Sequence, residues 1–215
     1  MALTLCAQRS PSVRATGEGV VSAMPDLVKL GLTITTQANT AQEATDQNAT
    51  TSQAVNTKVK ALLGTNGEIK TVAYSVNPNY RSLPTGGQAL VGFFASNTLE
   101  VTAYDLNAAG KIIDAATQAG ATSVSGIRFG LKDPEPQRRE ALKRATQTAR
   151  ASATAIAEGL SVRLGAILAA DEGYSVTPVT ADFRGAAATA PAATTLDSGL
   201  VEVRATVTIE VAIVQ

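Results

Sequence analysis

The 215-residue sequence contains no histidine, no tryptophan and a single cysteine, Cys6. These absences exclude histidine proton shuttles, zinc sites built from histidine and cysteine, and any disulfide within the chain. Lysine and arginine number 18, as do aspartate and glutamate, so no net charge attracts nucleic acid or an anionic membrane. Neither a phosphate-binding loop nor an Asp-x-Asp-x-Asp calcium loop is present, and no apolar run approaches the roughly 18 residues of a membrane helix. We therefore expect no metal, no cofactor, no catalytic residues that the sequence can identify, no nucleic-acid partner and no integral membrane segment.

The first residues, MALTLCAQ at positions 1–8, form a short apolar run without the basic region of a complete signal peptide. They fit the end of a truncated signal peptide, and we expect residues 1–12 to be a flexible N-terminus or such a remnant. Lipid attachment at Cys6 is disfavoured because Leu5, rather than a small residue, precedes the cysteine.

Alternation of apolar and polar residues predicts seven strands, at residues 13–23, 27–37, 69–80, 90–104, 123–131, 162–170 and 201–214. The last is the plainest, with valine, alanine or isoleucine at every second position from Val201 to Ile213. Residues 81–88 are rich in turn formers, so the strands on either side of them are expected to form a long hairpin. Aromatic residues make up only 4% of the chain, which predicts a core of valine, isoleucine, leucine and alanine.

Three helices are predicted from their capping residues. Thr40 and Glu43 form a capping box, which predicts a helix to about Leu63, ended by Gly64. Its lining positions at helical spacing are Ala44, Asn48, Thr51, Val55, Val59 and Leu62. The middle of this row is polar, which favours a half-exposed helix over a polar contact surface for another subunit.

Asp105 is expected to cap a short second helix that Gly120 closes, with Leu106, Ala109, Ile112, Ile113 and Ala116 along it. Asp133 and Pro134 are expected to open a third helix to about Glu158. The expected inward side of this helix carries Leu142, Ala145, Ala149, Ala153 and Ile156.

The predicted order is β-β-α-β-β-α-β-α-β-β, an α+β fold with three helices on largely antiparallel sheets. Strand-helix-strand units at 27–77 and 99–131 suggest two related halves. We expect a single domain over residues 13–215 that contains a mobile linker, rich in alanine, threonine and proline, at 176–199.

Basic residues cluster in the third helix, at Arg138, Arg139, Lys143, Arg144 and Arg150. They could form a stripe for a phosphate backbone or an acidic partner, but the neutral charge and the lack of interleaved aromatics favour a solvated face. Glu140 stands four residues before Arg144, as in an exposed ion pair.

Several motifs, in order and spacing, resemble the SIMPL-domain family. They are ATGEG at 15–19 and AMPD at 23–26, GFFASN at 92–97 with VTAYDL at 101–106, and VSGIRFGLKDPE at 124–135. The likeness extends through the alanine-rich helix, Leu164–Gly165 and the closing strand, over about residues 13–214. Within these motifs, Gly17 and Gly19 lie on one face of a strand and would permit close approach of a helix, while Asn97 could bond backbone groups.

The resemblance implies a bacterial envelope protein, periplasmic or secreted, without catalytic residues. Bacterial members include an immunogenic periplasmic antigen and a protein linked to oxidative-stress defence, some relatives form large ring-like homo-oligomers, and a mammalian member is a signalling adaptor. The leading hypothesis is therefore a non-enzymatic protein whose partner is itself, with a structural or stress-related role. A hydrolase without histidine and a protein-binding adaptor remain alternatives.

The tip of the long hairpin is the candidate interface between subunits. It carries Tyr80, Leu83, Leu90, Phe93 and Phe94. Adjacent strand residues point to opposite faces, so Phe93 and Phe94 cannot both enter one core layer. The second phenylalanine is expected either to pack under the linker or to contact a neighbouring subunit.

Overall fold

The computed structural model describes residues 11–84, 86–177, 179–180 and 198–214. The strands are β1 (Ser12–Ala23), β2 (Leu27–Ala38), β3 (Gly67–Ser82), β4 (Gln88–Ala103), β5 (Ser123–Gly130), β6 (Arg163–Thr177), β7 (Val179–Thr180) and β8 (Val201–Val214). The helices are α1 (Ala41–Leu63), α2 (Ala108–Gln118) and α3 (Glu135–Gly159). Every strand pairing among the described residues is antiparallel, which confirms the predicted α+β class. The predicted order is also confirmed, with the two-residue β7 as an additional strand.

The chain folds as two compact units. Among the described residues, unit 1 comprises 11–23, 133–177 and 200–214, and unit 2 comprises 24–84, 86–132, 179–180 and 198–199. The predicted single domain over 13–215 stays a prediction.

Unit 1 is a three-stranded sheet in the order β1-β8-β6 with α3 on one face. Strand β8 lies in the centre, and its alternate residues from Val201 to Val211 are buried, as the sequence predicted. Alanines at every fourth position of α3 face them, namely Ala141, Ala145, Ala149, Ala153 and Ala157. The predicted inward position of Leu142 and Ile156 is wrong, since Leu142 is half-buried and Ile156 is exposed. These larger side chains lie on the flanks because the helix packs closely through its alanines.

Close packing of α3 depends on two glycines of β1. A Cβ atom on Gly17 would overlap the backbone of α3 at Ala145 and Ala149, and one on Gly19 would overlap Ala141. This confirms the predicted close approach of a helix to this strand. The exposed side of the sheet carries an ion pair between Glu18 and Arg204.

Unit 2 is a five-stranded sheet in the order β3-β4-β2-β5-β7. The segments β2-α1-β3 and β4-α2-β5 interleave, so that each places its second strand beyond the first strand of the other. This is the split β-α-β arrangement of ferredoxin-like folds, and it accounts for the two predicted halves. The core holds Val28, Leu30, Leu32 and Ile34 of β2 beneath the apolar sides of α1 and α2.

Of the three predicted N-caps, only Thr40 holds that position; the N-cap of α2 is Asn107 and that of α3 is Pro134. The Thr40 hydroxyl accepts a hydrogen bond of 3.2 Å from the backbone N–H of Glu43, and Gly64 ends α1. The carboxylate of Asp133 accepts from the N–H of Glu135 at the start of α3. Asp105 accepts from the N–H of Asn107, and α2 itself begins at Ala108.

The predicted end of the sixth strand, at 170, and the predicted start of the linker, at 176, are both wrong. Strand β6 runs to Thr177, and β7 pairs with β5 at Val179, so the predicted linker does not begin at 176. The strand extends because β8 offers it a pairing partner as far as Glu202. Residues 181–197 of the predicted linker, like the predicted N-terminal segment before residue 11, lie outside the described residues.

Candidate functional site

No helix in the described part of the chain is long and apolar enough to cross a membrane. Nor do the described residues contain a group of three or more cysteine, aspartate or glutamate side chains that could hold a metal ion. The features that stand out in unit 2 are an exposed apolar hairpin and a buried polar cluster.

The β3–β4 hairpin extends beyond the rest of its sheet. Strand β2 pairs with β4 only as far as Ala38, which lies opposite Phe93. Beyond that point β3 and β4 pair only with each other, from Asn79 opposite Gly92 to Ser82 opposite Gln88. Four strand residues rise about 13 Å, so the tip extends by at least that distance.

Large apolar side chains are exposed along this hairpin. We define the hairpin surface as Val72, Tyr74, Val76, Tyr80, Leu83, Leu90 and Val91, which are between 37% and 56% exposed. Three of the five predicted interface residues, Tyr80, Leu83 and Leu90, belong to it. A group of exposed large apolar side chains on one hairpin is a feature of interaction sites.

Phe93 and Phe94 lie on opposite faces of the sheet, as predicted. Phe93 is opposite Ala38 and Pro78, on the same face as the buried Ala95. Phe94 is opposite Gln37 and Asn77 on the other face, and both rings are half-buried. The structure therefore places these two residues at the base of the protruding tip and not on its exposed surface.

The polar middle of α1 faces the sheet. Asn48 is fully buried, and its amide nitrogen donates to the backbone oxygens of Ile34 at 2.9 Å and Ala95 at 3.0 Å. The Ser52 hydroxyl donates to Oδ1 of Asn48 at 3.2 Å. The helix is half-exposed, as predicted, but its polar residues satisfy carbonyl groups of two strands inside the unit.

The buried row on α1 differs from the predicted one at two positions. Ser52 and Leu63 are buried where Thr51 and Leu62 were expected. Asn97 also departs from expectation, because its amide nitrogen donates to the Ser52 hydroxyl and not to the backbone. The sequence signal for this cluster is a pair of polar residues four positions apart, Asn48 and Ser52, in a row that is otherwise apolar. The predicted row instead takes Thr51 as the second polar residue.

Charged contacts lie at the base of the hairpin. Glu68 and Lys70 form an exposed ion pair of 2.6 Å on β3. The hydrogen bond and charge of Lys70 lower the pKa of Glu68, and those of Glu68 raise the pKa of Lys70. Nearby, the Lys132 ammonium lies 4.4 Å from the centre of the Tyr104 ring.

In unit 1, two of the five basic residues of α3 have structural contacts. Arg138 forms ion pairs with Glu135 and Glu172 and stacks on Tyr174, while Arg144 pairs with Glu140 and donates to the carbonyl of Val20. The predicted Glu140–Arg144 pair is thus confirmed, at 3.1 Å.

Comparison with known proteins identifies the family. The sequence profile of SIMPL, described as "Protein of unknown function (DUF541)", matches residues 13–211. The chain belongs to the SIMPL family. Curated relatives of this SIMPL chain include the 26 kDa periplasmic immunogenic protein of Brucella melitensis biotype 1, which is 28% identical over 168 residues, or 74% of this chain and 66% of the relative.

Two further relatives are named "Uncharacterized protein YggE". That of Edwardsiella ictaluri is 28% identical over 161 residues, 73% of this chain and 66% of the relative. That of Escherichia coli K12 is 24% identical over 157 residues, 73% of this chain and 63% of the relative. The matched part of this SIMPL chain thus spans just under two thirds of the length of these relatives, and none of the three names is that of an enzyme.

Proposed function

We propose that this chain is a non-enzymatic envelope protein that assembles with copies of itself into a large ring, with the hairpin surface as the contact between subunits. The observation that carries the proposal is the tip beyond Phe93, where two strands continue without a third and expose Tyr80, Leu83 and Leu90. A two-stranded hairpin is marginally stable in water by itself, so a covering surface would stabilise it.

The side chains on the tip are suited to an interface. Tyrosine combines a large apolar ring with a hydroxyl that bonds at the edge of a contact, and such residues supply a disproportionate share of binding energy. Tyr80 pairs across the hairpin with Leu90, so the two side chains form one raised apolar patch. We expect this patch to insert against a neighbouring subunit.

A protruding hairpin favours a ring over a two-fold dimer. An interface in which one patch meets a different patch on the next copy generates a closed ring when the rotation between copies closes. The hairpin surface would serve as one patch, and a separate patch on the neighbour would receive it.

The proposed location is the periplasm, in agreement with the name of the Brucella relatives. A role in the response to oxidative stress remains a prediction from the family resemblance.

The test is the mass of the purified full-length protein in solution, measured by light scattering and native mass spectrometry, with electron microscopy of the particle. We expect a large ring for the wild type. Tyr80→Ser and Leu90→Ser, which change the two residues paired across the exposed tip, should each shift the mass toward the monomer, with a nearly unchanged circular-dichroism spectrum.

Met24→Ser is the matched control, because Met24 is 78% exposed and lies outside the hairpin. It should leave the particle mass unchanged. A wild type that is monomeric at micromolar concentration would contradict the proposal, and so would a particle mass that neither hairpin substitution alters.

A further inference from the structure

Helix α3 leaves one strand of its sheet uncovered. It contacts β1 and β8 extensively and β6 only weakly. A helix about 10 Å across covers two strands spaced about 4.8 Å apart, so the third strand of unit 1 extends beyond it. Residues of β6 that face the helix side, such as Ile167 opposite Val211, are therefore exposed.

Two neighbouring depressions lie between α3 and β6, and we call the two together the trough. Its helix side is formed by Leu142, Thr146, Arg150 and Thr154, its strand side by Leu164, Ile167 and Ala170, and its floor by Val207, Ile209 and Val211 of β8. The helix residues span 12 positions, so the trough is about 18 Å long. Its floor and most of its strand side are apolar.

The trough deepens into a cavity of about 100 Å³ beside Arg150. The cavity is lined by Ala153, Leu164, Gly165, Ile167 and the two β8 residues Ile209 and Val211. Both floor residues are at most 4% exposed, so little of the floor is open. A cavity of about 100 Å³ is too small for a second helix about 10 Å across, but it can hold part of a single alkyl chain.

The helix rim of the trough is basic. Positions 139, 143 and 150 fall within about 40° of arc on α3, because a turn contains 3.6 residues. Arg139, Lys143 and Arg150 are all exposed, and no hydrogen bond or ion pair joins these three side chains to another described residue. The paired Arg144 points to the opposite flank, where it reaches Val20 of β1.

Acidic groups lie at the other end. Asp171 and Glu172 border the trough beside Leu142, and Glu172 is paired with Arg138 at 2.7 Å. An anion placed there would meet carboxylates, whereas one placed at Arg150 would meet a cation beside the apolar cavity. The trough is therefore polarised, with its anion-binding position at Arg150.

We propose that this trough binds a single-chain alkyl carboxylate, with the carboxylate on the Arg150 guanidinium and the methylene chain in the adjoining cavity. Guanidinium and carboxylate form charge-assisted hydrogen bonds, which are roughly twice as strong as neutral ones. Burial of the chain adds about 0.8 kcal/mol per methylene. The site lies within unit 1, and it does not depend on the hairpin surface or on assembly.

The test uses octanoate on the full-length protein, followed by NMR of isoleucine methyl groups. We expect saturable shifts of the Ile167 and Ile209 signals. Hexanoate should bind about 15-fold more weakly, which corresponds to about fourfold for each of two methylenes. Acetate supplies the carboxylate without the chain, and octyltrimethylammonium supplies the chain with a positive head group. Neither should shift these signals.

Arg150→Gln should weaken octanoate binding about two- to fivefold, because an ion pair with an exposed arginine is screened by water. Because Arg150 is exposed, the melting temperature should hardly change. Lys58→Gln, which removes an exposed cation from a helix of unit 2, should leave the affinity unchanged. Equal binding of octanoate and octyltrimethylammonium, unaltered affinity in Arg150→Gln, or no saturable binding of octanoate would each overturn the proposal.

Discussion

The side-chain amide of Asn97 donates a hydrogen bond of 3.0 Å to the hydroxyl of Ser52, which joins β4 to α1 through the interior of unit 2. Ser52 in turn donates to Asn48, and Asn48 donates to backbone carbonyls of β2 and β4. These bonds tie α1 to both β2 and β4. The cluster positions the helix beside the hairpin, which continues from the same strand.

Asn48→Ala is expected to destabilise the protein by about 2–4 kcal/mol. The substitution removes both donors to the carbonyls of Ile34 and Ala95 and leaves the Ser52 hydroxyl without its acceptor in the core. Urea unfolding monitored by circular dichroism measures the change. Asn56→Ala, an exposed asparagine of the same helix, is the control and should change stability by less than about 0.5 kcal/mol. Equal effects of the two substitutions would contradict the role of the cluster.

Gly17→Ala is expected to destabilise or unfold unit 1. The new methyl group would overlap the backbone of α3, which can only relieve the overlap by moving away from β1. Overpacking of this kind costs about 1–3 kcal/mol or more. Gly173→Ala is the matched control in β6, because a Cβ there meets no atom within 4 Å. Thermal melting compares the two, and a Gly17→Ala protein as stable as the wild type would rule out the close packing.

Thr40→Ala is expected to lower stability by about 1 kcal/mol. The Thr40 hydroxyl accepts from the N–H of Glu43, which otherwise has no partner within the helix. Thr40→Ser should retain most of the stability, since serine caps a helix equally well. Chemical unfolding of the three proteins checks the order, and equal loss in the alanine and serine variants would show that the hydroxyl is not the cause.

The Glu68–Lys70 pair predicts a pH dependence at the base of the hairpin. Because the folded pKa of Glu68 is lowered, its stabilising effect is present above the unfolded glutamate pKa and is lost as pH falls through the folded value. The pKa of Lys70 is raised, so its effect is present below the unfolded lysine pKa and is lost as pH rises through the folded value. The pair therefore stabilises most in the neutral range, weakly because both groups are exposed.

NMR titration of the Glu68 carboxyl carbon checks this dependence. In the Lys70→Met protein, the pKa of Glu68 should rise toward its ordinary value, because the ammonium group that lowers it is gone. Lys111→Met, in α2, serves as the control and should leave that pKa in place. A Glu68 titration that is the same in all three proteins would show that Lys70 does not lower its pKa.

Local signals in the sequence determined the secondary structure. Alternation from Val201 to Ile213 identified β8, and Thr40, Gly64 and Asp133 marked helix ends, because caps and periodicity depend on residues close in the chain. The glycines at 17 and 19 correctly indicated close packing, since only a residue without a Cβ permits it. The motifs also indicated the family that the SIMPL profile later matched.

Only the tertiary structure decided what lies outside and what lies beneath the helices. A polar residue such as Asn48 has the same local pattern whether it faces water or buried carbonyls, and the difference depends on Ile34 and Ala95, which are distant in sequence. Whether Tyr80 is covered depends on where β2 ends, and whether Arg150 borders an apolar trough depends on how far α3 reaches across its sheet. The burial of a side chain is set by neighbours that the fold brings together. Because these neighbours are distant in the sequence, the local sequence pattern does not determine burial.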